Sequence, residues 1–146
     1  MVRERPGKIL VIDDDSDFRE YARQVLEQEG HEVLLAADGA MGLELARSQQ
    51  PEVVIVDLLM VPDDGFATCE HLRAWPETRH VAILVVSAIE RKMHKQFASA
   101  DVGARLDANG YLTKPVPPRE LTQGVARLLQ FARARRSGAC GGKEEP

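Results

Sequence analysis

Apolar residues in this chain fall in short unbroken runs: Ile9–Ile12, Val33–Ala36, Val53–Val56 and Val81–Val86. Such runs are too short for buried helices and too continuous for strands with one face in water. They suit strands covered on both sides, as in a parallel sheet between two helical layers. The connecting segments agree. Phe18, Tyr21, Ala22, Val25 and Leu26 recur at helical spacing, with Ser16 as the expected N-cap and Gly30 as the stop. Asp38-Gly39 opens a second helix that runs to about Gln49, and Pro51 closes that connection. Pro62-Asp63-Asp64-Gly65 has turn chemistry, and a third helix is expected from about Phe66 to Ala74. A polar fourth helix is expected from about Glu90, then a short strand at Tyr111-Leu112-Thr113, then a fifth helix marked by Leu121, Val125, Leu128, Leu129 and Ala132. Strands alternating with helices in this way predict an α/β fold with a five-stranded parallel sheet and five helices.

Polar residues fall at telling positions. The first strand ends in Asp13-Asp14, the third in Asp57, the fourth in Ser87 and the fifth in Lys114. Sites in open α/β sheets form outside the carboxyl ends of the strands, so these residues are expected to converge. Three carboxylates held close repel one another, and a divalent cation relieves that repulsion. An all-oxygen donor set with room for a phosphate oxygen favours Mg²⁺. A cation, a lysine and a hydroxyl around one carboxylate can neutralise a transferring phosphoryl group, with the carboxylate as nucleophile. An EF-hand reading of Asp13, Asp15 and Asp17 fails, because Phe18 and Gln24 occupy its glycine and final glutamate positions.

Asp13-Asp14, Asp57, Asp64-Gly65, Ser87-Ala88 and Tyr111-Leu112-Thr113-Lys114-Pro115 follow one another in the order seen in bacterial receiver domains. Over about residues 8 to 131 the chain resembles a response regulator receiver domain of the single-domain, chemotaxis type. The resemblance implies a doubly wound, flavodoxin-like sheet with strand order 2-1-3-4-5. It implies that Asp57 accepts a phosphoryl group, that Asp13, Asp14, Asp57 and the Leu59 carbonyl hold Mg²⁺, and that Ser87 and Lys114 read the phosphoryl oxygens. It further implies that Ser87 and Tyr111 form a conformational switch and that Lys114-Pro115 is a cis peptide. Two features depart from the family pattern. Val61 separates Met60 from Pro62 in the loop after Asp57, and the stretch from Ser87 to Lys114 is longer than in compact members, with Ile89 placed to limit access to the site. Leu59 has no polar group to orient an attacking water, so a long-lived phosphorylated form is expected.

The 146 residues suit one domain, expected at 8–136, with a short extension at 1–7 and a glycine- and charge-rich tail at 137–146 expected to be disordered. A net charge of −4 argues against general nucleic-acid binding, and the arginines late in the last helix (Arg127, Arg133, Arg135, Arg136) read as complements to its dipole. Cys69 and Cys140 match no metal spacing and read as free thiols, and the four histidines show no ligand spacing. The expected protein is cytoplasmic, without a membrane span, and a monomer or weak homodimer. It is a signalling switch rather than a metabolic enzyme, charged by a histidine kinase or phosphotransfer protein and acting on a protein partner without binding DNA directly. Two alternatives are a haloacid dehalogenase-like phosphatase using Asp13 in an Asp-x-Asp pattern and a pseudo-receiver that only scaffolds.

Overall fold

The computed structural model describes residues 5–59, 65–88 and 107–141, with 136–141 as backbone alone. The elements are β1 (Lys8–Ile12), α1 (Ser16–Gln28), β2 (Glu32–Ala36), α2 (Gly39–Gln49), β3 (Val53–Val56), α3 (Gly65–Ala74), β4 (Ala82–Ser87), β5 (Gly110–Thr113) and α4 (Pro118–Gly141). The five strands form one parallel sheet in the order β2-β1-β3-β4-β5. Four helices lie among the described residues. The helix expected from about Glu90, Ile89, and the Met60–Asp64 loop all fall outside them.

The interiors of the central strands β1, β3 and β4 are apolar without a break because each face has its own cover. Ile9, Val11, Val53, Ile55, Leu84 and Val86 pack under α1 and α4, against Phe18, Ala22, Leu26, Leu121, Val125 and Leu129. Their neighbours Leu10, Ile12, Val54, Val56, Ile83 and Val85 pack on the other side, with Ala46 of α2 and Cys69 and Leu72 of α3. Each buried aliphatic side chain contributes about 1.5–3 kcal/mol relative to exposure. Cys69 belongs to this core, and burial pushes its thiol up to about 12, so it packs as an apolar group.

Local signals set the element ends, with three corrections. Asp15, not Ser16, caps α1: its carboxylate accepts from the Asp17 N–H, and Ser16 is the first helical residue. Both types cap well, but the carboxylate also favours the positive end of the helix. Gly30 stops the chain beyond α1 at a φ of 93°, in the region where a side chain is strained. The last helix continues to Gly141, past the boundary expected at 136, through a run with no proline to end it. None of its arginines therefore lies in its last turn, and Arg133 does a different job. Its guanidinium pairs with both carboxylate oxygens of Glu52 at 2.9 Å and donates to the carbonyls of Arg5 and Pro6. The Gly7 N–H donates to the buried His31 at Nδ1, completing a clamp on the chain ahead of β1.

Arg73 closes the opposite side of the sheet's base. This half-buried guanidinium donates to the carbonyls of Arg79, Val81 and Asp107 and to Asn109 Oδ1. The same Asn109 oxygen accepts from the Ile83 N–H, so the entry to β5 is stitched to β4 before the strands pair.

Candidate functional site

The chain leaves β1 for β2 on one side and later returns to β3 on the other. Side chains just past β1 and β3 therefore face a crevice with no crossover above it. Asp13 and Asp57 occupy those positions and are nearly sealed from solvent, at 1% and 5% exposure. Main-chain pairing carries the sheet one residue past each strand, with Asp13 N–H on Ala36 O and Asp57 N–H on Ile12 O. The two carboxylates are thereby held at adjacent strand ends.

Each carboxylate is held by identifiable donors. The Asp15 N–H donates to Asp13 Oδ1 at 2.9 Å, and the Lys114 ammonium donates to Asp13 Oδ2 at 2.7 Å. The Leu59 N–H donates to Asp57 Oδ1 at 3.1 Å, while Asp57 Oδ2 faces Lys114 Nζ at 3.5 Å. Asp14 is exposed beside them, and one ligand oxygen from each of Asp13, Asp14 and Asp57 lies within 4.8 Å of the others. Burial pushes the Asp57 carboxyl up to about 6. The Leu59 N–H opposes that shift, the negative charge of Asp13 adds to it, and Lys114 again opposes it.

The remaining predicted residues lie around this pair. Ser87 ends β4 fully buried, and its Oγ has no hydrogen-bond partner among the described residues. Its carbonyl accepts from the Lys114 N–H at 2.8 Å, which brings the lysine to the site. The Lys114–Pro115 bond is cis. Tyr111 is half-buried in β5 against the core facing α2 and α3; burial first, then the charge of Asp57, raises its phenol. Leu59 is half-exposed at the rim. Asp64 lies outside the described residues, but Gly65 shows why glycine follows it. A Cβ there would stand 2.2 Å from the Asp57 carbonyl oxygen, and the Gly65 N–H donates to Leu58 O at 3.1 Å.

Three residues of α1 join the site: Phe18 and Tyr21, whose spacing marked only a helix facing the core, and Arg19, which the spacing did not mark. The Arg19 guanidinium donates to the Asp13 carbonyl at 2.7 Å, the Tyr21 hydroxyl donates to the Val116 carbonyl, and the Phe18 ring lies 4.5 Å from Lys114 Nζ. Only the position of Phe18 and Arg19 just after the acidic run could have hinted at this.

A family model described as the response regulator receiver domain matches residues 9–126. The chain belongs to this family. It is 32% identical over 123 residues to protein PilH of Pseudomonas aeruginosa, a match covering 84% of this chain and 98% of PilH. It is 31% identical over 123 residues to the alkaline phosphatase synthesis transcriptional regulatory protein PhoP of Bacillus subtilis, across 84% of this chain and 48% of PhoP. It thus spans about half of PhoP and nearly all of PilH. Among solved structures, a putative response regulator from Chloroflexus aurantiacus superposes with a TM-score of 0.76 at 32% identity, covering 86% of this chain and 99% of that one. The chemotaxis response regulator CheY4 of Vibrio cholerae gives a TM-score of 0.74 at 28% identity, covering 85% and 99%. Receiver domains are phosphorylation-activated signalling switches rather than metabolic enzymes, and a phosphatase built on Asp13 is not favoured. No helix among the described residues is long and apolar enough to cross a membrane.

Proposed function

We propose that Asp57 is the phosphoryl acceptor of this receiver domain and that its charging by a histidine kinase or phosphotransfer protein alters contacts with a downstream protein. The observation that carries this reading is the pairing of a buried, strand-end carboxylate with an ammonium 3.5 Å away, inside a three-carboxylate cluster. Unrelieved, that arrangement costs stability, and a bound cation and phosphoryl group would relieve it. Asp13, Asp14, Asp57 and the Leu59 carbonyl would hold the ion, and the all-oxygen donor set suits Mg²⁺. When bound, the ion neutralises carboxylate repulsion and charge on the phosphoryl oxygens.

The chain's own residues do the rest. The Leu59 N–H fixes one oxygen of Asp57, leaving the other toward Lys114. Lys114 supplies a positive charge to the incoming phosphoryl group, and the Ser87 hydroxyl has hydrogen-bonding capacity free for it. Engagement of Ser87 would draw on the space beside Tyr111, making these two residues the switch. The expected setting is cytoplasmic. Borohydride reduction of the phosphorylated protein, followed by peptide mapping, tests the assignment. Conversion of Asp57 supports it, and conversion of Asp13 instead would support the phosphatase alternative.

A further inference from the structure

Among the described residues Lys114 Nζ lies near Asp13 Oδ2 at 2.7 Å, Asp57 Oδ2 at 3.5 Å and the face of Phe18 at 4.5 Å. The two carboxylates belong to the cluster that would hold a cation, so a bound ion competes with the ammonium for them. An aromatic ring is no ligand for a hard cation, yet it attracts an ammonium through its quadrupole. Phe18 is 8% exposed and packed in the core beside Tyr21, so the ring cannot swing away. A groove of about 540 Å³ passes Phe18, Tyr21, Ala88 and Pro115, leaving the lysine reachable from outside.

We infer that Phe18 is a positioning residue for phosphoryl transfer, its ring keeping the Lys114 ammonium aimed at Asp57 without neutralising its charge once a cation has engaged the carboxylates. The inference rests on the reading of Asp57 as acceptor. In that transfer an Asp57 oxygen forms a new bond to phosphorus, and the bond from phosphorus to the donor's leaving group breaks, its electron pair departing on the donor. Lys114 stabilises the charge on the phosphoryl oxygens throughout, and Phe18 acts only through Lys114.

The test is a series of full-length proteins with mono-, di- and trifluorinated phenylalanine at position 18, together with Phe18→Leu and Phe18→Trp. Fluorine withdraws the ring's negative face while nearly preserving its volume. Phosphoryl uptake from a small acyl phosphate with Mg²⁺ is followed by mass. The maximal rate constant should fall stepwise to about one-fifth at trifluorophenylalanine, equivalent to roughly 1 kcal/mol, with the donor concentration for half-maximal rate unchanged. Phe18→Leu should be as slow, and Phe18→Trp should restore the rate. In parallel, the Lys114 ε-methylene protons should show an upfield ring-current shift in the wild type and Phe18→Trp but not in Phe18→Leu. A flat fluorine series alongside normal wild-type uptake overturns the role of Phe18 and leaves Asp57 untouched. Absence of the ring-current shift overturns the geometry behind it. A wild type that takes up no phosphoryl group overturns the Asp57 reading, and the role built on it.

Discussion

Replacing Asp57 with asparagine should stabilise the metal-free protein at neutral pH. The carboxylate is 5% exposed, and burial and the charge of Asp13 push it from 3.8 to about 6. An acid whose pKa is higher in the native state binds protons more tightly there than in the unfolded chain. Stability therefore falls as pH rises from about 4 to about 6, and the loss is complete above that window. The displacement corresponds to roughly 2–3 kcal/mol, an upper bound because Asp13 shares the site. Asparagine keeps an oxygen to accept the Leu59 N–H while removing the charge. Urea unfolding, followed by fluorescence of Trp75, the sole tryptophan, measures both proteins in chelator. Asp57→Asn should be more stable by about 2 kcal/mol near pH 7.5 and nearly equal to wild type near pH 4. Millimolar Mg²⁺ should narrow the neutral-pH gap by stabilising the wild type preferentially. An Asp57→Asn protein no more stable than wild type at neutral pH in chelator would refute the claim that this carboxylate is held against its solvation preference.

Other outcomes follow from single contacts. Gly65→Ala should destabilise by at least about 1–3 kcal/mol and slow phosphoryl uptake, since its methyl would stand 2.2 Å from the Asp57 carbonyl; unfolding and uptake assays check both. Arg73→Met should cost about 2–3 kcal/mol in urea unfolding, because it strands the carbonyl of the buried Val81 and removes the donors to the carbonyls of Arg79 and Asp107 and to Asn109. Leu59→Gln should shorten the lifetime of the phosphorylated form several-fold by offering a group to orient water at the half-exposed rim, and a wild-type lifetime of seconds would contradict the long-lived form.

Much of the fold was legible because its signals are local. Unbroken apolar runs announce strands covered on both faces, and polar residues after those runs announce the crevice. Asp13, Asp57, Ser87 and Lys114 were expected to converge on topology alone; the side chains of Asp13, Asp57 and Lys114 do meet, and Ser87 is joined to Lys114 through the main chain. What escaped was longer-range or doubly used. Asp15 and Ser16 are adjacent good caps, and spacing cannot choose between them. Arg133 looked like a dipole complement because its partner Glu52 lies 81 positions away. Arg73 reaches inward from a helix end where a solvated arginine would be unremarkable. Phe18 fitted the helix's apolar face so well that nothing in its spacing pointed to the lysine it touches.

The central claim is that Asp57 carries the phosphoryl group. Intact-mass spectrometry after incubation with a small acyl phosphate and Mg²⁺ tests it most directly, with Asp57→Asn measured alongside. The wild type should gain the mass of one phosphoryl group, and the variant should gain none. No gain in the wild type, or an equal gain in Asp57→Asn, would contradict the claim.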